Sequence, residues 1–79
     1  MPQLFSVYWY DDEGNQHRER YLESLERCRE AFDRLTMGPA VALGVIKQIK
    51  ITDSMDCLVL DLSRQGGRWV DTTNLPPTC

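Results

Sequence analysis

Residues 24–39 read Ser-Leu-Glu-Arg-Cys-Arg-Glu-Ala-Phe-Asp-Arg-Leu-Thr-Met-Gly-Pro. Leu25, Cys28, Ala31, Phe32 and Leu35 recur at helical spacing and form one apolar stripe. Ser24 is placed to cap the first turn, its hydroxyl accepting a bond from a backbone N–H that has no partner inside the helix. Glu23 and Glu26 lie where the positive end of the helix dipole favours acids. Glu23/Arg27 and Glu30/Arg34 are i,i+4 pairs in the favourable order, each contributing about 0.2–0.5 kcal/mol. Gly38 suits a left-handed cap, and Pro39 cannot continue the helix. A single amphipathic helix with one buried face is therefore expected, covering Leu25, Cys28, Phe32 and Leu35.

Strand-like runs flank it on both sides. Leu4 to Tyr10 is aromatic and β-branched, with Phe5, Val7 and Trp9 pointing one way and Leu4, Ser6, Tyr8 and Tyr10 the other. Asp11 to Asn15 is a polar turn with Gly14 at a positive-φ position. Gln16 to Leu22 returns as a polar second strand, expected at an edge because Arg18, Glu19 and Arg20 discourage edge-to-edge association. After a small apolar connection that allows one helical turn from Pro39, Val45 to Thr52 and Cys57 to Ser63 read as strands around an Asp53–Asp56 turn. Alternation groups Val45, Ile49 and Ile51 on one face, with Ile46, Gln48, Lys50 and Thr52 on the other. It likewise groups Leu58, Leu60 and Leu62. Gln65-Gly66-Gly67 is a tight-turn signal that allows Arg68 to Asp71 to return as a short last strand carrying Trp69.

The order is ββαββ with an optional last strand. One helix cannot cover both faces of such a sheet. The expected fold class is therefore α+β, a two-layer sandwich of a four- or five-stranded antiparallel sheet with one helix on one face. The other face is left for solvent or a partner. Residues 1–71 make the single domain, and residues 72–79, with Pro76 and Pro77, make a C-terminal tail. At 79 residues, 42% apolar and 27% charged, the chain has ordinary globular composition and room for one core.

The net charge is −3 and the pI about 4.9, a balance that argues against general nucleic-acid binding. No apolar run reaches the roughly 18–20 residues of a membrane span, and the N-terminus lacks the regions of a secretory signal. The expected location is the cytoplasm. Three cysteines without paired spacing do not form a disulfide framework. Cys28 and Cys57 are expected as small core residues and Cys79 as an exposed terminal thiol, open to adventitious intermolecular oxidation.

Catalytic signatures are weak throughout. His17 is the only histidine and reads as an exposed surface residue, with no cysteine in a nucleophile context beside it. The scattered cysteines do not make the ligand pairs of a zinc site. The Asp11–Asn15 turn lacks the alternating oxygen ligands and distal Glu of a calcium loop. Gln65–Arg68 lacks the helix that a phosphate-cradling loop precedes. No catalytic residue, metal or cofactor is expected, and the chain is read as a non-enzyme. What remains is acidic and aromatic surface: Tyr8 and Tyr10 on one sheet face, Asp11, Asp12 and Glu13 at a hairpin tip, and Glu26, Glu30 and Asp33 on the helix. The two tyrosines are of the kind that stack bases on a sheet, but the order lacks the βαββαβ plan of RNA-recognition modules, so no direct nucleic-acid contact is expected.

In size, charge and plan the chain resembles the small accessory proteins of phages and mobile elements, among which anti-CRISPR proteins are the best known. The resemblance rests on Phe5–Tyr10, the Ser24–Leu35 helix and the Val45–Ser63 hairpin. It implies a stoichiometric inhibitor that binds a larger protein or ribonucleoprotein complex, a CRISPR effector, and blocks target-DNA binding or nuclease recruitment. As monomer or homodimer in the cytoplasm of a bacterial host cell, the chain would dock through the acidic and aromatic residues named above. The alternative is a homodimeric structural or adaptor protein associating through the open sheet face.

Overall fold

The fold begins with a hairpin whose turn is built by one carboxylate. In the computed structural model, which describes residues 3–73, strand β1 (Phe5–Asp11) pairs antiparallel with β2 (Gln16–Glu23). Asp11 Oδ1 accepts from the backbone N–H groups of Glu13 and Asn15, at 2.9 and 2.8 Å. Helix α1 (Leu25–Met37) follows, its Ser24 cap accepting from the Arg27 N–H. A single turn, α2 (Pro39–Ala42), starts at the proline. Strands β3 (Ile46–Asp53), β4 (Leu58–Gln65) and β5 (Arg68–Asp71) complete one antiparallel sheet in the order β2-β1-β3-β4-β5. Gly66 and Gly67 both take positive φ, 58° and 81°. That is the two-residue turn which matches strand twist and closes β4 on β5.

The architecture is α+β, with one long helix against one face of a five-stranded sheet. The core is Val7, Cys28, Leu35, Ile46 and Ile49, with Phe5, Trp9, Phe32, Ile51 and Trp69 packed on it. Helix α1 lies against β1, β2 and β3. The Trp69 indole reaches back from β5 to donate to the Thr36 carbonyl at 3.2 Å.

Several expectations change. Gly38 is not left-handed: its φ is −82° and ψ 174°, because the residue before a proline is held extended. Leu25 is 53% exposed and Phe32 only half-buried, so the stripe that packs inward is narrower than its spacing suggests. Ile46 joins the core while Val45 is exposed, since the β1–β3 register shifts between Tyr10 and Asp11. A shift between Ile51 and Thr52 places Leu58 in the depression on the uncovered face, with Tyr8 and Thr52. Cys57 is half-buried at the β3–β4 turn and disulfide-bonded, not a free core thiol. Of the expected tail, Thr72 and Thr73 are bonded to the Asp61 backbone: the Thr72 N–H donates to its carbonyl at 2.7 Å, and its N–H donates to Thr73 Oγ1 at 2.8 Å. Residues 74–79, Cys79 included, lie outside the described residues.

Candidate functional site: the uncovered sheet face

Alternation along β1 sends Val7 and Trp9 into the core and leaves Tyr8 and Tyr10 on the face the helix does not cover. The register then builds a row across four strands. Tyr8 lies between Arg18 of β2 and Lys50 of β3, and Lys50 is paired in turn with Asp61 of β4. The neighbouring row holds Gln16, Tyr10, Gln48 and Ser63. Lys50 Nζ sits 5.5 Å from the centre of the Tyr10 ring, and the Arg18 guanidinium 4.6 Å from that of Tyr21. The Gln48 amide donates to Asp61 at 2.8 Å. Between these side chains lies a depression of about 680 Å³, running from Tyr10 and Gln16 past Lys50 to Thr52 and Asp56.

The acids expected beside the tyrosines are elsewhere. Asp12 and Glu13 are exposed at the β1–β2 tip. Asp11 is consumed by its own hairpin: one oxygen holds the turn, and the other lies 2.9 Å from His17 Nε2. These bonds, the His17 one foremost, hold the Asp11 carboxyl down at about 2. His17 is exposed as expected, but its ring stacks on Trp9 at a centroid distance of 4.0 Å. Glu26, Glu30 and Asp33 are exposed on α1, at a spacing that puts them along one outward line. Arg27, Arg29 and Arg34 share that helix, and Arg34 reaches back 3.5 Å to Glu19. Tyr8 and Tyr10, the hairpin tip and the helix line thus occupy three separate surfaces.

Two features were missed. The first is the gathering of Arg18 and Lys50 around Tyr8, which needs the strand order and has no mark in the linear sequence. The second is a smaller depression of about 300 Å³ between Leu25, Phe32 and Arg29 of the helix and Ile51 and Leu60 of the sheet. It forms where α1, lying toward β2, stops short of β4.

Cys28 is 1% exposed, and its thiol donates to the Phe5 and Glu23 carbonyls at 3.4 and 3.8 Å. Burial, aided by the Glu23 charge, pushes it up from the ordinary thiol value. Among the described residues, no group of three His, Cys, Asp or Glu side chains is placed to hold a metal ion. No described helix is long and apolar enough to cross a membrane. Comparison with protein-family models, curated proteins and solved structures finds no match for this chain.

Proposed function

We propose that the protein is a stoichiometric inhibitor of the anti-CRISPR kind. It binds a larger protein or ribonucleoprotein complex, a CRISPR effector, and blocks target-DNA binding or nuclease recruitment. One observation supports it above the others: a five-stranded sheet with its helix on one side only, whose other side presents Tyr8 and Tyr10 over a depression. Tyrosines on a rigid sheet give large contact area at low entropic cost, which is what binding hot spots use. The separation of the acids onto other surfaces narrows the reading: docking runs through the tyrosine face rather than through one acidic patch. The engagement of His17 with Asp11 and Trp9, and of Cys28 with two carbonyls, favours binding over catalysis. A homodimeric adaptor would bury the same face against its copy.

The test is reconstitution with purified effector complexes of several types. The expected result is co-elution at a fixed stoichiometry with one type, together with loss of its target-DNA binding or nuclease recruitment. Failure to co-elute with or inhibit any of them overturns the reading. A dimeric mass by sedimentation in the same samples would shift it to the adaptor.

A further inference from the structure

The chain as a whole is at −3, yet one cross-strand row of its uncovered sheet face sets a cation on either side of an aromatic ring. Register and alternation place Arg18, Lys50 and Arg68 there, with Asp61, bonded to Gln48, opposite Lys50. Asp53 and Asp56 stand at one end of the face, by the β3–β4 turn, so its carboxylates gather there and at Asp61 while Arg18 and Lys50 flank Tyr8. The surplus acids lie on the helix side and at the hairpin tips. Three tyrosines share this face: Tyr8 and Tyr10 line its larger depression, and Tyr8 and Tyr21 a second one beside Ser6, Thr52, Asp53 and Asp56.

Aromatic rings on an antiparallel sheet, interleaved with cations, are the chemistry that takes up unpaired bases: the ring stacks on the base, and the cation meets the phosphate beside it. The cross-strand row supplies both. Arg18 and Lys50 flank Tyr8 on either side, two strand spacings apart or roughly 10 Å, a span that covers one to two nucleotides of single strand. An exposed flat face cannot enter the groove of a duplex, so the ligand is single-stranded.

We infer that the uncovered sheet face binds a short single-stranded nucleic-acid segment, with bases on Tyr8 and Tyr10 and phosphates at Arg18 and Lys50. This deepens the inhibitor reading and takes its setting from it: what the protein meets on its target is exposed nucleic acid, not a basic channel. The acidic helix side then faces away from the strand, which keeps binding weak in isolation and local to this face.

The experiment uses fluorescein-labelled mixed-sequence RNA and DNA single strands of about 12 nucleotides, read by fluorescence anisotropy at low salt. Saturable binding is expected, with a salt slope near −1.4 if two phosphates are neutralised, and a duplex of the same sequence binds more weakly. Tyr8→Ala and Tyr10→Ala each weaken it on the order of tenfold, as loss of one stacked base does. Lys50→Gln weakens it and flattens the slope, while Glu26→Gln on the helix leaves it unchanged. Thermal melts establish that each variant is folded; should a tyrosine variant unfold, Lys50→Gln carries the test. Absence of single-strand binding overturns the inference, as does binding that Lys50→Gln leaves untouched. If effector binding persists without single-strand binding, the partner surface is an acidic protein face and the inhibitor reading stands alone. If single strands bind but no effector does, the inhibitor reading fails and the site remains.

Discussion

Asp11 serves its hairpin with both oxygens, one on two turn N–H groups and one on His17. Its carboxyl is held at about 2, below the ordinary carboxylate value near 3.8. A depressed value stabilises the fold above the unfolded-state value, and that stabilisation is lost as pH falls through the folded one. Melting temperature should therefore drop between about pH 4 and pH 2 in the wild type. Asp11→Asn, which keeps an acceptor for the turn but cannot titrate, should flatten the curve in that window. An unchanged acid limb would mean that other carboxylates carry it. Gly38 shows a different constraint. Its φ of −82° suits any residue, but a Cβ there would lie inside van der Waals contact with the Arg34 carbonyl oxygen. Backbone on both sides leaves little room to yield, so Gly38→Ala should cost about 1–3 kcal/mol by denaturant titration, as overpacking does. A neutral Gly38→Ala would show that the end of α1 shifts freely. Glycine is legible at this position from the sequence. Its reason is not, because Pro39 overrides the usual left-handed cap.

The elements divide by how local their causes are. The helix, its Ser24 cap and the Gly66-Gly67 turn are legible because each depends on neighbours within one turn of chain. Alternation is also legible wherever a strand pairs without interruption, as Phe5, Val7 and Trp9 do against Ile51 and Ile49. It fails at the register shifts beside Asp11 and Thr52, where one extra residue flips the side chains that follow. Ile46 moves into the core and Leu58 onto the opposite face for that reason. No local feature marks those shifts, since they arise when two distant strands are laid side by side. The inner face of α1 is narrower than its apolar stripe for a related reason: the helix lies toward β2, so Leu25 overhangs the gap before β4. Ile49, wholly buried between Trp9 and Leu62, should lose about 2–5 kcal/mol as Ile49→Ala, enough to unfold a domain of this size. Leu25→Ala should change stability by under about 1 kcal/mol. Phe32→Ala belongs between them, at about 1–3 kcal/mol, below the cost of a fully buried phenylalanine. Comparable losses at Leu25 and Ile49 would mean that the helix packs over β4 instead.

At the scale of the whole molecule, composition and distribution point in different directions. A pI of about 4.9 invites an acidic docking surface, and the candidate acids other than half-buried Asp11 are exposed, but they are split between the hairpin tip and the helix, apart from the tyrosines. The helix line of Glu26, Glu30 and Asp33 is flanked by Arg27, Arg29 and Arg34 along the same helix, which cancels much of its field within a Debye length of about 8 Å. The tyrosine pair is legible from one strand; its cationic company comes from two others. If docking runs through the sheet face, two sets of variants should separate. Tyr8→Ala with Tyr10→Ala should raise the dissociation constant for the target complex at least tenfold, through a shorter lifetime of the complex, because buried aromatic anchors act mainly on dissociation. Reversing Glu26, Glu30 and Asp33 to Lys should change that lifetime less than about threefold, altering only the association rate and its salt dependence. Surface plasmon resonance at two ionic strengths reads both rates. The opposite pattern, a lifetime set by the helix acids and indifferent to the tyrosines, would move the interface to the other side of the slab and restore the acidic surface as the docking face.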